Sequence, residues 1–117
     1  MLALLLEEPG AEVVETLSEN AALSAVNWVE VWQVARDVGV RVAELRPRVE
    51  EYAISIVPFT GAEAEQAGDL QRQTRAAGLS LADRACLALA SRLGVPAVTA
   101  DSVWTTLDVD VEVVCIR

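Results

Sequence analysis

Apolar residues along the chain recur with two periods, and the switches between them divide 117 residues into alternating helices and short strands. "LALLLEE" predicts a helical fragment stopped at Pro9-Gly10, and "AEVVETLSEN" a short helix ending at Asn20. "AALSAV" (21–26) is a brief apolar run suited to a buried strand. "NWVEVWQVARDVG" then puts Trp28, Val31, Trp32 and Ala35 on one helical face and Glu30, Gln33 and Asp37 on another, closing at Gly39. "RVAELRPRVEEYA" predicts a mostly helical segment in which Pro47 fits only a first turn or a break. "ISIVPF" (54–59) is β-branched and apolar, a second strand, and "AEAEQAGDLQRQTRAAG" is an alanine-rich helix ending at Gly78. "LADRACLALASRLG" predicts a buried helix over 81–93 stopped by Gly94, and "PAVTA" and "VEVVCI" supply two more strands. Strands separated by helices predict an α/β fold with a parallel sheet covered on both faces, in one domain over 1–117.

Two carboxylates bracket the most apolar part of this pattern. A helix over 81–93 travels about 20 Å at ~1.5 Å per residue. A strand over 95–100 returns about 20 Å at ~3.3 Å per residue. Asp83 and Asp101 are therefore expected to end level, where strands finish and helices begin. Glu30 joins that edge, one helical turn after the strand at 21–26. In open parallel sheets the carboxyl edge is where ligands bind. Each acid also has a purely structural reading. Asn27-x-x-Glu30 resembles a capping box, Ser80-x-x-Asp83 matches one, and Asp101 precedes "SVWTTL" as an N-cap would. The readings are compatible, because positive helix N-termini lower the cost of gathering like charges.

Composition narrows the chemistry. With 53 % hydrophobic and 23 % charged residues the chain is expected to be globular. Its opening "MLALLLEEPG" is too short to span a bilayer and lacks a signal peptide's basic flank, which predicts a cytoplasmic protein with no membrane partner. Cys86 and Cys115 sit in apolar surroundings and read as small buried hydrophobes in a reducing compartment. Eighteen Asp and Glu face nine Arg, with no Lys and no His, for a net charge of −9. Absent His and Lys exclude a His-activated nucleophile, a Schiff-base lysine and a phosphate-loop lysine. Any hydrolytic chemistry must run on carboxylates, and clustered carboxylates at neutral pH call for a divalent cation.

"LSLADRACLALASRLGVPAVTAD" (79–101), preceded in order by "LALLLEEPGAE", "ALSAVNWVEV" and "VPF", is similar to the core motif of PIN-domain ribonucleases, specifically the VapC toxins of type II toxin–antitoxin modules. The likeness covers essentially the whole chain. It implies a PIN-like three-layer α/β/α sandwich, a Mg²⁺- or Mn²⁺-dependent endoribonuclease acting on RNA, and a VapB-type antitoxin whose basic segment covers the acidic pocket. A homodimer is expected as well. Carried onto this chain, the second, third and fourth acids of the family's quartet fall on Glu30, Asp83 and Asp101, which the resemblance implies as catalytic metal ligands. Arg84, Arg75 and Thr99 are candidates for substrate contact.

Family members begin with an apolar strand ending in Asp, followed closely by Ser, whereas Met1 here already stands at the next helix. That strand and first acid are expected in about 8–10 residues upstream of this start, with true truncation as the competing reading. The alternative function is a catalytically inactive PIN-like domain that only binds antitoxin or a sibling subunit. Receiver domains and haloacid-dehalogenase-like phosphatases share an acidic edge, but both rely on a lysine this chain lacks, and "DVD" (108–110) stands at the wrong end. Trp28, Trp32 and Trp104 are expected in the core, with a dimer or antitoxin surface as the sharper option.

Overall fold

The computed structural model describes residues 21–116, so the two helices expected within 1–20 lie outside the described residues. The described part falls into two compact units that divide between Val57 and Pro58.

In the first unit, strand β1 (Ala22–Ser24) passes directly into helix α1 (Ala25–Asp37). Ser24 ends the strand and caps the helix, its Oγ accepting from the Val26 N–H at 3.3 Å. The helix therefore starts ahead of the expected Asn27. Val31 and Ala35, one turn apart on the predicted apolar face, are buried. Trp28 and Trp32 on the same stripe are half-buried and meet edge to face, with ring centroids 5.9 Å apart. Helix α2 (Leu45–Glu51) buries Leu45 and Val49 and carries Pro47 in its first turn, where the missing N–H breaks no intrahelical bond. Strand β2 (Ser55–Val57) pairs parallel with β1, Leu23 opposite Ile56.

In the second unit the long helix expected over 62–78 is divided. It becomes α3 (Gly61–Asp69), α4 (Gln71–Thr74) and a 3₁₀ turn (Arg75–Ala77), ending at Gly78 with φ +71°. The break follows Gly68-Asp69, two poor helix formers, and the Thr74 hydroxyl donates back to the Leu70 carbonyl at 2.9 Å. Helix α5 spans Leu81–Leu93 as the pattern predicts, burying Ala82, Ala85, Leu87, Ala88, Leu89 and Ala90.

Gly94 ends α5 in the left-handed region at φ +65°, and the chain turns into strand β3 (Ala97–Thr99). A 3₁₀ turn (Ser102–Thr106) follows, then strand β4 (Val113–Cys115), parallel to β3 with Val98 opposite Val114. Leu87, Ala90, Ala97 and Trp104 form the core here, so Trp104 takes the packing role expected of it. Both cysteines are half-buried. A Cβ on Gly94 would meet nothing within 4 Å, so Gly94→Ala isolates the cost of positive φ. It should cost about 1 kcal/mol, read as a lower urea midpoint with an unchanged slope.

All four described strands pair in parallel, as the alternation of strands and helices predicts, in two two-stranded sheets. Among the described residues no helix is long and apolar enough to cross a membrane.

Candidate active site

The first turn of α5 is built around Ser80, whose extended backbone precedes the helix. Its Oγ accepts from the Asp83 N–H at 3.2 Å, while Asp83 Oδ2 accepts from the Ser80 N–H at 2.9 Å. The capping box read from Ser80-x-x-Asp83 is complete in both directions. It satisfies two N–H groups and places a carboxylate at the positive end of the helix. Oδ1 of the half-buried Asp83 takes no hydrogen bond from the described residues.

Asp101 follows β3 and caps the 3₁₀ turn, its Oδ1 accepting from the Val103 N–H at 3.0 Å. Its own N–H donates to Thr99 Oγ1 at 3.1 Å, and no donor among the described residues reaches Oδ2. Among the described residues, each acid thus has one oxygen on the backbone and the other without a donor. Asp83 lies in the first turn of α5, and Asp101 follows β3, the next strand in the chain.

Glu30 differs from its expected local setting. It does not close a capping box with Asn27, because Ser24 is the cap and Glu30 lies well inside α1. Its carboxylate is exposed, and no hydrogen bond or ion pair among the described residues engages it. Glu30 belongs to the first unit, Asp83 and Asp101 to the second. Among the described residues, no three His, Cys, Asp or Glu side chains gather closely enough to hold a metal ion. The donors fit a hard cation in chemistry, all being carboxylate oxygens, but the described residues do not close a ligand set.

Of the substrate candidates, Arg75 is exposed and its Nη2 donates to Gln71 Oε1 at 3.4 Å. Thr99 holds the Asp101 turn, and Arg84 Nη1 donates to the Ala67 carbonyl at 2.8 Å. A cavity of about 340 Å³ opens between α3, α5 and the segment 108–111, with Gln66, Leu87 and Asp110 in its wall. None of the candidate acids lines it.

The sequence reading missed a second polar feature. Glu63, 1 % exposed, lies on α3 and forms an ion pair through Oε1 with Arg92 Nε at the far end of α5. No other donor among the described residues reaches either of its oxygens. Thr60-x-x-Glu63 has the capping-box form, and Thr60 Oγ1 accepts from the Glu63 N–H at 3.2 Å. The reciprocal half is absent because the Glu63 carboxylate turns inward to Arg92. The pattern "TGAE" is the signal available in the sequence, and it points to the wrong partner.

Parallel strands alternating with helices define an α/β protein. The chain belongs to the PIN domain family, whose model matches residues 1–109 and so runs through both units. PIN domains are generally metal-dependent nucleases. No curated protein matches the chain.

Proposed function

We propose that this chain is a VapC-type toxin of a type II toxin–antitoxin module, a Mg²⁺- or Mn²⁺-dependent endoribonuclease acting in the cytoplasm. The observation that carries this reading is the pair of aspartates in helix-start caps, each with one oxygen that no donor among the described residues reaches, within a PIN-family chain. Asp83, Asp101 and Glu30 would hold the cation. When bound, that ion supplies a water of lowered pKa and screens the phosphate charge.

The protein's own groups set up this arrangement. Ser80 fixes the Asp83 carboxylate, and the Thr99 hydroxyl fixes the turn that presents Asp101. Exposed Arg75 is available to an RNA phosphate, and Thr99 stands beside the same turn. A net charge of −9 repels RNA, so substrate binding depends on the cation and on local arginines. The same charge suits a basic segment of a VapB-type antitoxin, and the active form is a homodimer.

Purified protein with Mn²⁺ or Mg²⁺ should cleave RNA internally, stop on addition of excess chelator, and resume when the ion is restored. Cleavage indifferent to chelator would reject the metal mechanism. Tight antitoxin binding with no cleavage under any divalent ion would assign the chain to binding alone.

A further inference from the structure

We infer that Arg84 is a positioning residue that ties the first turn of α5, and with it the Asp83 carboxylate, to the C-terminal turn of α3. Only the role given to Asp83 rests on the nuclease reading. The tie itself rests on geometry.

Arg84 Nη1 donates to the carbonyl of fully buried Ala67 at 2.8 Å, and its buried Nε has no acceptor among the described residues. The last turn of a helix presents unsatisfied carbonyls and a partial negative charge, which a cation relieves. Helix α3 has no basic residue in its last turn and ends on Asp69, so its cation comes from the neighbouring helix. At the opposite end, Arg92 in the last turn of α5 meets Glu63 in the first turn of α3. The two helices therefore run antiparallel, with one arginine at each end of their contact.

The two helices also carry small, fully buried side chains, Ala67 on α3 and Ala85 and Ala88 on α5. Small residues permit close approach and leave few long side chains to fix rotation. The arginines supply that constraint. Arg84 follows Asp83 directly, so a tether there sets how the first turn of α5 is rotated about its axis, and hence where Asp83 points. A guanidinium already engaged on a backbone carbonyl is also poorly placed to grip a phosphate.

The test compares Arg84→Gln, Arg84→Lys and Arg92→Gln with the unaltered full chain. In metal-free protein, Arg84→Gln should raise hydrogen exchange at the Ser80 and Asp83 amides several-fold relative to Leu87 and Ala90, and Arg92→Gln should not. Manganese affinity, followed by electron paramagnetic resonance, should weaken about tenfold in Arg84→Gln. Arg84→Lys, able to give one N–H to the carbonyl, should recover most of both effects. The salt slope of RNA binding should stay unchanged in Arg84→Gln. Unaltered exchange at Ser80 and Asp83, or a uniform rise along α5, would overturn the assignment. So would a salt slope lower by about one unit with manganese affinity intact, the signature of a phosphate contact. If the unaltered chain takes no manganese, the metal reading fails while the exchange comparison still decides the role of Arg84.

Discussion

Replacing Asp83 with Asn should abolish RNA cleavage and leave the fold nearly as stable as before. The asparagine side-chain oxygen can accept the Ser80 N–H as Oδ2 does, and Asp83's own N–H still donates to Ser80 Oγ, so the cap survives. What disappears is the charge and the second oxygen, replaced by an NH2 group that cannot bind a cation while the remaining oxygen accepts from Ser80. Removing an outer-shell partner of a metal site typically costs about 10–100-fold, so removing a ligand should cost at least about 100-fold in single-turnover rate. Loss of the carboxylate's interaction with the helix terminus should cost about 0.3–1 kcal/mol. Rate and urea midpoint measured on the same preparation separate the two roles of this residue. Equal rates for Asp83→Asn and the unaltered protein would leave Asp83 as a cap and nothing more.

The second large effect concerns stability and is asymmetric. Arg92→Ala should destabilise the protein far more than Glu63→Gln, although the two changes break the same ion pair. The Glu63 side chain is 1 % exposed and Arg92 is its one charge partner among the described residues, so removing the arginine strands a buried carboxylate. Breaking a buried pair in that direction costs about 3–5 kcal/mol. The Arg92 side chain is 43 % exposed and can turn to water when Glu63 is neutralised, so Glu63→Gln should cost about 1 kcal/mol. Urea unfolding of both variants gives the comparison directly. Equal costs would mean that Glu63 finds water or another donor when Arg92 is gone.

The two ion-pair partners also mark where sequence reading stops. Their helices are separate stretches of chain, and nothing in the period of either shows that Glu63 abandons its own cap for Arg92. Where start and stop signals are local, the reading is accurate: α5 runs from Leu81 to Leu93 because Ser80 and Gly94 act within a turn of its ends. The start of α1 was read too late for a different reason. Asn27-x-x-Glu30 is a good local match to a cap, but Ser24 becomes the cap because β1 pairs with β2 only as far as Ser24. A tertiary contact thus overrides a local motif and moves Glu30 from the helix start into its exposed flank.

For the candidate site, the sequence reads Asp83 as the acid of the Ser80 capping box and Asp101 as an N-cap. In the structure each carboxylate accepts from the backbone through a single oxygen, and no donor among the described residues reaches the other. A structural role and a ligand role for the same aspartate therefore do not compete. Arg84 changes in the other direction: next to a catalytic candidate it reads as a phosphate contact, and its place on the α3 terminus gives it a backbone partner instead.

Manganese titration followed by paramagnetic line broadening of the backbone amide signals tests the central assignment most directly. One equivalent of Mn²⁺ should broaden the signals of Glu30, Asp83 and Asp101 together and at the same concentration, while Asp83→Asn shifts all three to much higher concentration. Broadening that reaches these residues at different concentrations, or that leaves any of them sharp, would contradict a shared ion.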